Sequence, residues 1–186
     1  MEAYLDNSAT TRVDAQVQEL MKKLMDVDFG NPSSRHQKGV VAEGYIKEAR
    51  QKIAATLKVD PKEFIITSGG TESNNMALIG TALAAKRKGN HIITTAVEHP
   101  SVKATASFLE EQGFRITFLS VDSRGQISLE DLKEALTPDT ILVSIMYVNN
   151  EIGTIQPVEE AAKLVHATVP GAVFHVDAIQ AYGKVM

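Results

Sequence analysis

The chain has 186 residues, of which 44% are hydrophobic and 23% charged, an ordinary globular composition with enough apolar material for one sizeable core. A formal net charge of −4 and the lack of any Lys/Arg-rich block argue against nucleic acid, a phosphate polymer or a membrane surface as partner. Zero cysteines exclude a disulfide framework, a thiolate metal site and a thiol nucleophile within these residues.

No charged-then-apolar leader is recognised, and no apolar run approaches the roughly 18 residues that span a bilayer, so a cytoplasmic location is the default expectation. Tyr4-Leu5-Asp6-Asn7-Ser8-Ala9-Thr10-Thr11 is rich in turn residues and is expected to run extended or as a loop. Val13, Val17, Leu20, Leu24 and Val27 then recur at helical spacing, the apolar stripe of a helix ending near Asp28. Phe29-Gly30-Asn31-Pro32-Ser33-Ser34-Arg35-His36 stops it. Arg35 and His36 read either as parts of a connector or as groups able to reach an anionic ligand or another subunit. A second helix follows, with Ile46, Ala49, Ile53 and Leu57 inward despite the helix-weakening Gly39 and Gly44. Asp60-Pro61-Lys62-Glu63 looks like a capped turn. Residues 1–62 are taken as an N-terminal arm with helices, and 63–186 as a larger α/β domain.

From residue 63 short β-rich runs alternate with helical periods, the pattern of βαβ units and a parallel sheet. Strands are expected near 63–68, 91–96, 115–120, 140–147 and 172–177, with helices near 72–88, 100–112, 128–136 and 157–168. Pro100 and Pro157 suit a first helical turn, and Ser128 with Asp131 resembles a capping box. Ile141-Leu142-Val143-Ser144-Ile145-Met146 has the continuous apolar character of a strand buried on both faces.

Ligands of open α/β sheets bind beyond the carboxyl ends of the strands, so the polar residues there are the candidates. Phe64-Ile65-Ile66-Thr67-Ser68-Gly69-Gly70-Thr71 reads as strand, turn and helix start, where paired glycines, free helix N–H groups and the Thr71 hydroxyl suit a phosphate, or simply as a tight capped connection. After the second strand come Glu98, His99 and Pro100; after the fourth, Asn149, Asn150 and Glu151; after the fifth, Asp177 and Gln180. Asp177 reads either as a helix N-cap or as the partner of a protonated heteroaromatic nitrogen, and His99 as a loop histidine or a ring for stacking on an aromatic ligand. Asn150 and Gln180 have turn and surface alternatives. His175 reads as structural, His91 and His166 as surface residues. The five histidines lack metal-site spacing, so no metal is expected.

A phosphate turn, a stacking imidazole, amide donors and a strand-end carboxylate together describe a pocket for pyridoxal phosphate. Tyr4-Leu5-Asp6-Asn7-Ser8-Ala9-Thr10-Thr11, Gly30-Asn31-Pro32-Ser33-Ser34 with His36, Thr67-Ser68-Gly69-Gly70-Thr71-Glu72-Ser73-Asn74, Glu98-His99, Val148-Asn149-Asn150-Glu151-Ile152-Gly153 and His175-Val176-Asp177-Ala178 with Gln180 resemble the cysteine desulfurases of the NifS/IscS type. These belong to the class V aminotransferase group of fold-type I enzymes. The likeness runs the length of the chain in the family's order. It implies an aspartate aminotransferase-like large domain, a mainly parallel sheet with helices on both faces, incomplete at the C-terminus. It also implies that Gly70 and Thr71 hold the cofactor phosphate, that His99 stacks on the pyridine ring and moves protons, and that Asp177 partners the pyridinium. Asn150 and Gln180 match donors to the phenolic oxygen, and Asn150 lies near the substrate carboxylate. The implied reaction takes L-cysteine to L-alanine and leaves sulfur as a persulfide on a mobile cysteine, for iron–sulfur cluster or thio-cofactor synthesis.

Departures from the family pattern bear on that expectation. The lysine that binds the cofactor covalently, the persulfide-forming cysteine, the carboxylate-binding arginine and the small C-terminal domain have no match. Lys184 lies too close to Asp177 to substitute and reads as a surface residue. The chain looks like the N-terminal half of such an enzyme, inactive alone, with a homodimer or complementing C-terminal half and a sulfur-acceptor scaffold protein as expected partners. The alternatives are a selenocysteine lyase, another class V aminotransferase, or a non-catalytic partner fragment.

Overall fold

The computed structural model describes residues 2–185, which divide into two compact units between Ile66 and Thr67. In the first unit α1 (Ala15–Asp26) begins where the Asp14 carboxylate accepts the Gln16 N–H at 2.8 Å. Asp28, just past its end, accepts the Tyr45 hydroxyl at 2.7 Å and pairs with Lys23 at 3.4 Å, which ties α1 to α2 (Gln37–Leu57). Lys58 then takes a left-handed conformation, and Lys58 and Val59 donate back to Ala55 and Ala54, closing α2 with a Schellman motif. The 3-10 turn Pro61–Glu63 carries a complete capping box between Asp60 and Glu63.

The helices lie where the periodicity predicts, but their apolar faces do not. Val13, Val17, Leu20 and Val27 of the expected α1 stripe are exposed, and so are Ile46, Ala49 and Leu57 of α2. The buried positions of α2 are Gly39, Ala42 and Ala54. A Cβ at Gly39 would collide with the Ser34 carbonyl, and one at Gly30 with the Lys38 carbonyl, so the 29–36 loop meets α2 backbone to backbone. Among the described residues of this unit nothing else covers the larger apolar side chains. The strand expected near 63–68 is also absent: Phe64 is extended and its carbonyl takes the Arg50 guanidinium at 3.3 Å, yet no described strand pairs with the segment. An apolar extended run without a ladder partner is not a strand, and Ile65 and Ile66 stay exposed.

The second unit is built on four parallel strands in the order β2-β1-β3-β4: β1 (His91–Thr95), β2 (Arg115–Leu119), β3 (Thr140–Met146) and β4 (Val173–Asp177). On one face, Leu78 and Ala82 of α3 (Gly70–Ala85) and Val102 and Leu109 of α4 (Pro100–Glu111) pack on Ile92 and Leu142. On the other, Leu132 of α5 (Leu129–Ala135) and Ala161 and Val165 of α6 (Val158–Thr168) pack on Ile93, Val143 and Ile145. The alternation along each strand separates the two cores. β3 is buried along its whole length, and each of its fully buried Leu142, Val143 and Ile145 side chains contributes about 1.5–3 kcal/mol. Pro100 takes the first turn of α4, whereas Pro157 is the N-cap of α6, one residue earlier than expected. Ser128 caps α5 by accepting the Asp131 N–H at 3.2 Å.

His91 is not a surface residue. It is fully buried at the start of β1, with Nδ1 bonded to Thr140 Oγ1 at 2.8 Å and Thr137 Oγ1 at 3.0 Å, and Nε2 to Thr117 Oγ1 at 2.9 Å. It ties the starts of β1 and β3 to the middle of β2, and burial pushes its imidazole down to about 4. At the opposite end, β1 continues toward β2 and β3 toward β4, so the strand order reverses between β1 and β3. The crevice at their carboxyl ends is where sheets of this kind bind ligands. Among the described residues no helix is long and apolar enough to cross a membrane.

Candidate functional site

The N-terminus of α3 supplies the first element. Its N-cap, Gly69, makes no side-chain cap hydrogen bond, and the first intrahelical bond runs from Ser73 N–H to Gly69 O at 3.1 Å. The N–H groups of Gly70, Thr71 and Glu72 precede it and have no intrahelical acceptor. Glu72 turns its carboxylate back onto Ser68, taking both its N–H and hydroxyl at 2.6 Å, and these bonds hold it below the usual carboxylate range. A Cβ at Gly69 would meet nothing within 4 Å, whereas one at Gly70 would lie 2.6 Å from Ile179 Cδ1. The turn is therefore open on one side and seated on the other against the residues that follow Asp177.

Asp177 ends β4, buried, with no cation paired to it among the described residues. Its Oδ1 accepts the Ile179 N–H at 3.1 Å and its Oδ2 the Asn74 amide at 2.8 Å. The same Asn74 nitrogen lies 3.0 Å from Ser101 Oγ, which lies 2.8 Å from His99 Nδ1. Ser101 N–H also donates to that Nδ1 at 3.1 Å. With Nδ1 occupied as an acceptor, the neutral imidazole carries its proton on Nε2. His99 is exposed and caps α4, so this nitrogen is the one free to exchange protons.

Asn150 stands in the turn after β3, half-buried, and its side-chain amide bonds to no described residue. Gln180 lies beyond Asp177, with its Oε1 taking the Lys184 ammonium at 2.8 Å. Lys184 itself is exposed. The structure thus joins Asp177 and His99 through Asn74 of α3, the helix that begins at Gly70. Among the described residues the Asn150 side chain makes no hydrogen bond to these residues. Glu98 is buried, and burial pushes its carboxyl up to about 7. Among the described residues no group of three or more His, Asp or Glu side chains is placed to hold a metal ion.

Asn74 and Ser101 carry no role in the sequence reading. A signal for Asn74 existed: it is in phase with Leu78 and Ala82, both buried on α3, so a polar side chain there must point into the core and find a partner. Ser101 offers no comparable signal.

The family model for aminotransferase class V matches residues 3–186. The chain belongs to the class V aminotransferase family. Among relatives of this family, it is 50% identical over 184 residues to cysteine desulfurase IscS of Dictyoglomus turgidum, covering 99% of this chain and 46% of that protein. It is 49% identical over 180 residues to the putative cysteine desulfurase IscS 1 of Bacillus subtilis, covering 97% of this chain and 47% of that one. A solved NifS-like protein superposes with a TM-score of 0.96 at 43% identity, over all of this chain and 51% of its own. The chain is a NifS/IscS-like member of the family and spans about half the length of these relatives. Its parallel sheet with helices on both faces matches the fold-type I architecture.

Family membership implies pyridoxal phosphate, and the residues fit that group. Open N–H donors at a helix N-terminus suit its phosphate. A buried carboxylate held only by neutral donors suits a protonated ring nitrogen.

Proposed function

We propose that this chain forms the cofactor- and substrate-facing half of a pyridoxal phosphate-dependent cysteine desulfurase, converting L-cysteine to L-alanine and passing the sulfur to an enzyme cysteine. The observation that carries the reading is Asp177: a buried carboxylate with no cation among the described residues, bonded to Asn74 of the anion-binding helix and, through Asn74 and then Ser101, to the His99 imidazole. When bound, the cofactor supplies an electron-withdrawing ring that stabilises charge developing on the substrate.

The chain's own residues divide the remaining work. Gly70 and Thr71 hold the phosphate through backbone N–H groups and the Thr71 hydroxyl. Asp177 holds the proton on the ring nitrogen. His99 would stack on the bound ring, and its Nε2 would serve as the group that moves a proton to and from the substrate. Asn150 and Gln180 donate to the phenolic oxygen, and Asn150 orients the substrate carboxylate. The covalently binding lysine and the sulfur-carrying cysteine come from a further segment, in the same polypeptide or in a second one. A homodimer and a sulfur-acceptor protein complete the system.

The test is to assemble this chain with a segment matching the remaining half of the relatives, and to measure alanine and sulfide released from L-cysteine. Stoichiometric alanine, lost in His99→Ala, supports the reading. An assembled protein that binds pyridoxal phosphate yet leaves L-cysteine unchanged refutes the substrate, and one that binds no pyridoxal phosphate refutes the site.

A further inference from the structure

Two buried side chains reach across the crevice between the ends of β1 and β3 in opposite directions. From the β1 side, Glu98 Oε1 accepts the Met146 N–H at 2.9 Å, at the end of β3, and also the Thr95 hydroxyl at 2.8 Å. From the β3 side, Asn149 Nδ2 donates to the Val97 carbonyl at 2.9 Å, in the turn after β1. The other end of the Asn149 amide accepts the N–H groups of Glu151 at 2.9 Å and Ile152 at 3.0 Å, which shapes the turn holding Asn150. Glu98 is 3% exposed and Asn149 7%, so neither bond is exchanged for water.

Each of these residues directly precedes a group assigned to the cofactor: Glu98 precedes His99, and Asn149 precedes Asn150. We propose that Glu98 and Asn149 form a reciprocal clasp that fixes the His99 and Asn150 backbones relative to each other, making both positioning residues for the bound ring. The proposal rests on the assignment of His99 and Asn150 above. Its physical basis is that the two loops leave adjacent strands at the point where the strand order reverses. Nothing in the sheet ladder itself sets their spacing beyond Thr95 and Met146.

Glu98 Oε1 takes both donors, while Oε2 is buried with no partner. Asp177 and Lys103 are the charged groups that bear on it, the carboxylate favouring a proton on Glu98 and the ammonium opposing it. Glutamine reproduces the acceptor without the charge, so Glu98→Gln keeps both clasp bonds. Glu98→Ala loses both, and Asn149→Ala loses the bond from the other side.

The experiment is the visible circular dichroism of pyridoxal phosphate bound to the assembled enzyme at saturating cofactor, read per bound cofactor, because that signal reports ring orientation rather than fold. Glu98→Ala and Asn149→Ala are each expected to cut it at least fivefold, and Glu98→Gln to restore it. Unaltered dichroism in both alanine variants overturns the clasp, as does a Glu98→Gln variant that behaves like Glu98→Ala. Should Glu98→Ala not fold, Asn149→Ala and the milder Thr95→Val decide, and wild-type dichroism in both overturns the proposal. A wild-type protein with no bound cofactor signal overturns the cofactor reading and the clasp with it, whereas a strong wild-type signal untouched by the variants overturns the clasp alone.

Discussion

Asn74 donates to Asp177 across 2.8 Å although 103 residues separate them, so the helix that begins at the Gly69-Gly70-Thr71 turn is fixed to the carboxylate by a buried side chain. No described strand precedes that turn in the sheet, and α3 reaches β4 instead through this bond and through Gly70 packed against Ile179. Removing the amide leaves an oxygen of Asp177 and the Ser101 hydroxyl short of a donor. Asn74→Ala should therefore lower stability by about 1–3 kcal/mol, read as a shift in the urea midpoint at unchanged slope. A midpoint within error of wild type would show that water replaces the amide.

The turn proposed to hold the phosphate offers several donors, of which the Thr71 hydroxyl is one. Thr71→Val keeps the side-chain shape and the backbone N–H. It should weaken pyridoxal phosphate binding by about 1–3 kcal/mol, or roughly 5- to 150-fold in Kd, without lowering the melting temperature of the apoprotein. An unchanged Kd would confine Thr71 to a structural role in the helix start.

Asp177→Ala in the assembled enzyme should fold and retain cofactor yet form alanine about a hundredfold more slowly or worse, because a ring nitrogen without its carboxylate loses its proton and its pull on electrons. Alanine production near the wild-type rate would sink the assignment. Asp177→Asn separates charge from bonding: it keeps an acceptor for Asn74, so its stability should lie closer to wild type than that of the alanine variant while its rate does not recover.

Much of the sheet and of its polar edge was legible in the sequence, for physical reasons that differ by residue. The apolar run of β3 announces a strand buried on both faces, and strand ends mark the positions of His99, Asn150 and Asp177 because open α/β sheets present their ligand edge there. Phe64-Ile65-Ile66 has equally strand-like composition and forms none, since a ladder needs a second strand and composition does not supply one. His91 was misplaced because its threonine partners lie 26 to 49 residues away and meet it only once the sheet is assembled. The amphipathic stripe of α1 specifies a helix but not what covers it.

Two buried groups give opposing pH dependences. His91 falls from its ordinary 6.5 to about 4, so between those values the unfolded chain binds a proton that the folded chain refuses, and stability rises with pH. Half-buried His175, also shifted down by desolvation, acts in the same direction. Glu98 rises from 4.5 to about 7, so in that window the folded chain keeps a proton the unfolded chain has released, and stability falls with pH. Each trend is worth up to about 3 kcal/mol, and they largely cancel between pH 5 and 6.5. Glu98→Gln should unmask the rise, and His91→Asn the fall, in urea midpoints measured from pH 4.5 to 8. Parallel profiles for wild type and both variants would show that neither group titrates as its burial dictates.

The last expectation concerns whether the sheet is stable as these residues leave it. β4 pairs only with β3, and its outer edge has no ladder partner among the described residues. The strand is short, carries no proline or lysine to blunt that edge, and leaves Val173 exposed. Phe64, Ile65 and Ile66 add an apolar run that has no ladder partner among the described residues. Unpaired edges of this kind template pairing with other chains, so the 186 residues alone should self-associate. The complementary segment invoked for the lysine and cysteine should cover the same edge. Two measurements on the purified chain, with and without a separately expressed segment matching the remaining half of the relatives, decide the matter. Light scattering should show polydisperse oligomers turning into one species of defined mass. Hydrogen exchange should show those β4 amides that do not bond to β3 gaining protection only in the mixture. A monodisperse, cooperatively folding chain that forms alanine from L-cysteine on its own would overturn both the open edge and the need for a second half.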